Sequence, residues 1–81
     1  MTRRISVSQV EPGFFSTERY VTFEVAGKPY SLFVDAGSVK DKTLEVQVVE
    51  SDGQTVLVEL PRDTVNAGSR VRIPNAELLP G

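Results

Sequence analysis

The chain has 81 residues, 40% of them apolar and 25% charged, with a net charge of −2. That describes one small globular domain with no global attraction to nucleic acid or anionic membrane. It contains no Cys and no His, so disulfides, thiolate chemistry, zinc–thiolate sites and the commonest general base are excluded.

Ile5 and Val7 alternate with Ser6 and Ser8, which predicts a first short strand ending near Val10. Polar residues interrupt this segment, so it cannot be the apolar centre of a signal peptide, and no apolar run approaches the ~20 residues of a membrane span. A cytoplasmic protein is expected. Glu11-Pro12-Gly13-Phe14 reads as a type II turn, with Pro12 at the second position and Gly13 supplying positive φ at the third. Phe14 and Phe15 follow, and Ser16 to Arg19 reads as loop.

Val21, Phe23 and Val25 share one face of the next strand. After Ala26-Gly27-Lys28-Pro29, Tyr30, Leu32 and Val34 continue that face. This predicts a hairpin pairing Val25 with Tyr30, Phe23 with Leu32 and Val21 with Val34. Pro29 lacks the N–H that would close a Gly27-Lys28 turn, so an open turn or a four-residue loop is expected. Ser38 to Lys42 reads as one helical turn or a charged loop.

Thr43 to Leu60 reads as a second, central hairpin. Leu44, Val46 and Val48 alternate with polar residues, as do Val56, Val58 and Leu60 except at Leu57. A two-residue Asp52-Gly53 turn would put Val46 opposite Glu59 on one face. A three-residue loop, Ser51-Asp52-Gly53, instead pairs Val48 with Val56, Val46 with Val58 and Leu44 with Leu60, and gives Gly53 the left-handed position of a G1 bulge. Leu60-Pro61-Arg62-Asp63 resembles a type I turn, and Asn66-Ala67-Gly68 another turn. Val71 and Ile73 mark a last strand, after which Asn75 caps a turn that returns Leu78 and Leu79 to the core.

Five to six short strands with frequent turn signals and no sustained helical period predict an all-β domain over 1–81. A small antiparallel barrel or a strongly bent sheet fits, with an SH3-like shape favoured on strand count and an OB-like barrel second.

The chemistry-bearing residues are sparse. The carboxylates show no motif spacing, and Asp35, Asp52 and Asp63 sit at turns where Asp bonds nearby backbone N–H groups. No glycine pattern supports a phosphate-cradling loop, and the serines have no His partner. Catalysis is not expected, nor is any cofactor, metal or membrane association. Arg62, Arg70 and Arg72 form the alternative site, an arginine patch for nucleic acid or another anion, although the same residues also suit a solvated edge strand. Tyr20, Phe33, Val49 and Leu57 break the outward polar alternation of their strands. They are the candidate partner-binding residues of a non-catalytic protein-interaction module, taking a protein partner or a second copy. The competing structural role for them is a second core layer beneath Phe14 to Arg19. A small carboxylate-dependent enzyme is the remaining class, and two carboxylates converging in a cleft would support it.

Overall fold

Tight hairpins set the architecture, seen in a computed structural model that describes every residue from Met1 to Gly81. The strands are β1 (Thr2–Ser6), β2 (Gln9–Pro12), β3 (Glu18–Val25), β4 (Lys28–Asp35), β5 (Val39–Lys40), β6 (Thr43–Ser51), β7 (Thr55–Thr64), β8 (Gly68–Pro74) and β9 (Leu78–Leu79). Single 3₁₀ turns at Ala36–Ser38 and Asn75–Glu77 complete the chain. The strands form two antiparallel sheets. One has the order β8-β7-β6-β1-β9, with β5 also paired to β6, and the other is β2-β3-β4. The domain is therefore all-β, as expected, but the sheets do not join into a closed barrel.

The β3–β4 connection is shorter than the predicted loop. Ala26 and Gly27 have φ of 51° and 82°, the pair of positive values that a type I′ turn requires. Val25 consequently opposes Lys28, Phe23 opposes Tyr30, and Val21 opposes Leu32. The predicted pairs are thus displaced by two residues, and the buried face is unchanged because side chains repeat every two residues. Pro29 opposes Glu24 within the strand. It sits on β4, an outer strand of its sheet, where a missing N–H is tolerated. Asp41 and Lys42 form a second such turn, with φ of 52° and 58°. They join β5 to β6 where a helical turn or loop was expected.

The central hairpin also corrects the predicted register. Val48, not Val46, opposes Val58, and Gln47 opposes Glu59, which carries Val46 toward Leu60. Gly53, at φ +93°, and Gln54 make the connection, and the Asp52 N–H donates to the Thr55 carbonyl at 3.1 Å. Parity forbids a two-residue connection in an unbroken ladder, but the pairing slips by one residue between Val48 and Glu50. That bulge restores the apolar face and turns Glu50 toward the outer surface.

Two further turns differ from expectation. Leu60 to Asp63 lies within β7 rather than in a type I turn, and Pro61 falls where the β7–β8 register is irregular. Gly13 has no positive φ. Its lack of a side chain serves a close approach, because a Cβ there would lie 2.8 Å from Cγ and Oε1 of Glu18. At the C-terminal turn Asn75 lies inside the 3₁₀ segment without a side-chain cap, and Leu78 still returns to the core.

The inward residues of the two sheets meet in one core. Val21, Phe23, Leu32 and Val34 come from the smaller sheet, and Leu44, Val46, Val56, Val58 and Ile73 from the larger. Burying each such side chain contributes about 1.5–3 kcal/mol. The chain crosses between sheets at Val7 and Ser8. The Val7 N–H donates to the Lys42 carbonyl beside β6, and the Ser8 N–H to the Thr22 carbonyl of β3. At the other side the far end of β7 approaches β4, where the Val65 N–H donates to the Ser31 carbonyl at 2.9 Å.

Candidate functional site

The outer face of β2-β3-β4 holds a cross-strand row. Glu11 opposes Tyr20, and Tyr20 opposes Phe33. Directly opposed residues lie on one face at about 4.5–5.5 Å, and the Tyr20 and Phe33 rings are 4.7 Å apart between centroids. Phe14 also stacks on Phe33 at 5.2 Å, with the rings 24° from parallel.

Glu18 positions Phe14. Its carboxylate accepts the Phe14 N–H at 3.0 Å, and its carbonyl accepts the Gly13 N–H at 3.0 Å. Gly13 provides the room. Arg62 approaches the same carboxylate at 3.9 Å and bonds Asp35, the residue opposite Glu18, at 3.3 Å, so it ties down the end of the sheet from which the loop leaves.

Glu11, Pro12, Gly13, Phe14, Tyr20, Phe33 and Val65 line a groove of about 370 Å³ over this row. Tyr20 and Phe33 are half-buried at its floor. Phe14 and Val65 stand as walls at 83% and 67% exposure. Phe14 therefore packs against the outer aromatics without sealing them into a second core layer. Phe15, 71% exposed, does not cover them either.

Val49 and Leu57 lie elsewhere. Val49 is the extra residue at the central bulge, and Leu57 opposes Glu50 and Arg72 on the larger sheet. The four predicted partner-binding residues thus divide between two sheets. Tyr20 and Phe33 form one site, whereas Leu57 is flanked by charged neighbours. Phe14, Val65, Pro12 and Glu11 belong to the site without having been singled out. The only sequence signal for them was the double phenylalanine after Pro12-Gly13.

Arg70 and Arg72 share an exposed face of β8, as expected, while Arg62 pairs with acidic residues of the other sheet. Arg70 bonds Glu59 at 2.7 Å, Arg72 bonds Glu50 at 2.8 Å, and Arg62 turns to the ends of β3 and β4. Each guanidinium is matched by a carboxylate of this chain. Glu59 is held below the usual carboxylate range by Ser69 and Arg70. Asp52 is likewise lowered, first by the Thr55 N–H and then by the Gln54 N–H. It is a turn-forming residue, bonding those donors at 2.8 and 3.0 Å.

A second cavity, of about 210 Å³, opens between the sheets. Its walls are mostly apolar, including Ile5, Phe23 and Ile73, and two carboxylate residues, Glu24 and Glu77, line it. No group of three or more His, Cys, Asp or Glu residues is arranged to hold a metal ion. No helix is long and apolar enough to cross a membrane. No family model matches the chain, and comparisons with curated proteins and with solved structures likewise give no significant match.

Proposed function

We propose that the protein is a non-catalytic interaction module whose contact surface is the aromatic groove of β2-β3-β4. The observation that supports this is the exposure of Phe14 beside half-buried Phe33 and Tyr20. Large apolar side chains gathered on a rigid sheet lose little conformational entropy on binding, and Tyr and Phe are enriched at interface centres. The SH3-like shape belongs to the same proposal, supported by the approach of the end of β7 to β4. So does a cytoplasmic setting.

The test is a peptide-display selection against the immobilised protein, repeated with Phe14→Ser. Phe14 is exposed enough that its loss should leave the thermal midpoint within a few degrees. Binders that lose affinity for Phe14→Ser while that variant still melts cooperatively support the module. Binders indifferent to both Phe14→Ser and Phe33→Ser would refute it.

A second reading, a small carboxylate-dependent enzyme, is favoured only by Glu24 and Glu77 lining one cleft. Paired carboxylates are a minimal acid–base apparatus. It predicts a hydrolytic activity abolished separately by Glu24→Gln and by Glu77→Gln, with folding intact. A broad ester and glycoside substrate screen showing no such dependence would dismiss it.

A further inference from the structure

We infer that the aromatic groove receives an arginine side chain of a protein partner. This rests on the interaction-module reading and adds the chemistry of what is bound. The carrying observation is the row Glu11–Tyr20–Phe33, which crosses three adjacent strands on one face. Glu11 is the only charged residue lining the groove, and no cation of this chain pairs with it. Around the groove the other charges are already satisfied. Arg19 donates to the carbonyls of Ser16 and Glu18, and Glu18 and Asp35 share Arg62.

A cation over the face of Tyr20 meets the negative face of the ring and lies one strand away from the Glu11 carboxylate. The shape of the groove selects the kind of cation. An ammonium group is best held by rings that enclose it. Here Phe14 and Phe33 are within 24° of parallel and Tyr20 is tilted 49° from Phe33, which makes an open shelf. A planar guanidinium suits a shelf, since it stacks on one face and presents an edge of two N–H groups to a carboxylate. Val65 opposite gives the arginine methylenes an apolar wall. The chain uses a related contact within itself, where Lys28 Nζ lies 5.3 Å from the centroid of Tyr30.

The experiment is an amide NMR titration of the intact protein with acetyl-Gly-Gly-Arg-Gly-Gly-amide and with its citrulline and lysine counterparts. Citrulline keeps the planar shape and removes the charge. The expected result is saturable shifts at Glu11, Tyr20, Phe33 and Val65 with the arginine peptide. Affinity should fall roughly three- to tenfold for citrulline, with lysine between the two. Glu11→Gln should erase most of the arginine–citrulline difference while leaving the spectrum that of a folded protein. Equal binding of arginine and citrulline overturns the inference and leaves the interaction module standing. Absence of groove shifts with all three peptides also overturns it. The module itself falls only if display selection yields no binder that depends on Phe14 or Phe33.

Discussion

Phe33→Ser separates a surface that is used from a surface that is merely packed. Phe33 is half-buried, and its ring touches Tyr20 at 4.7 Å and Phe14 at 5.2 Å. Each aromatic pair contributes about 0.5–1.5 kcal/mol beyond area burial. Two pairs, one of them at the low end because its partner ring is highly exposed, together with about 1 kcal/mol for the half-buried area, put the loss at about 2–3 kcal/mol. The reference is Phe23, which is only 2% exposed and whose truncation to Ala should cost about 3–5 kcal/mol. A domain of this length has a total stability of about 4–12 kcal/mol. Phe33→Ser should therefore remain folded with a midpoint lowered by roughly 10–25 °C, whereas Phe23→Ala should lose a distinctly larger share of the stability. Urea denaturation of both variants beside wild type measures the difference. If Phe33→Ser costs as much as Phe23→Ala, the ring belongs to a second core layer and the interface loses its basis.

Four further outcomes follow from the geometry. Paired cysteines at Val48 and Val58 should oxidise to a disulfide more readily than cysteines at Val46 and Val58, because only the first pair is directly opposed; mass spectrometry after air oxidation decides the register. Ala26→Asn should stabilise the protein by up to about 1 kcal/mol in urea, since Ala at φ 51° is strained where Asn is tolerated. Asp52 titrates below its ordinary value of 3.8 in the folded chain, so its contribution is complete above that pH and disappears as pH falls through the lower folded value. Asp52→Ala should accordingly flatten the stability profile below about pH 4. Finally, single-stranded oligonucleotide should show no salt-sensitive binding that Arg70→Ala with Arg72→Ala removes, because both guanidiniums already face carboxylates.

Hydrophobic alternation revealed which face of each strand would be buried. Val21, Phe23, Leu32, Val46, Val56 and Val58 are all buried in the core. It could not reveal the register, because a two-residue slip leaves every side chain on the same face. Both hairpins slipped by this amount at one or more pairs, and the turns chose among the allowed values. Ala26 taking positive φ was invisible from composition, since Ala rarely adopts it. The bulge at Val49 is equally hidden, because one extra residue cancels the parity that relates loop length to facing residues. The site was half legible. Tyr20 and Phe33 stood out for breaking alternation, and their adjacency survived the corrected register. Phe14 and Val65 reach the groove only through tertiary approach, from a loop fixed by Glu18 and from the far end of β7. The arginines share a sign that is visible in sequence, whereas the carboxylates beside them come from separate parts of the chain.

The placement of β1 between β6 and β9 has a kinetic consequence. The meander β6–β7–β8 joins neighbours in sequence, so its loops are short and their closure entropy is small. The strand β1 must instead meet Thr43–Gln47 and then Leu78–Leu79, contacts that span about half of the chain and then nearly all of it. Such pairings slow the search for the native state because the long loops must close before any contact rewards them. The meander and the β3–β4 hairpin should thus form early, with docking of the first strand as the late step. Destabilising Ile5 should accordingly speed unfolding far more than it slows refolding. Val58, at the centre of the meander, should do the reverse.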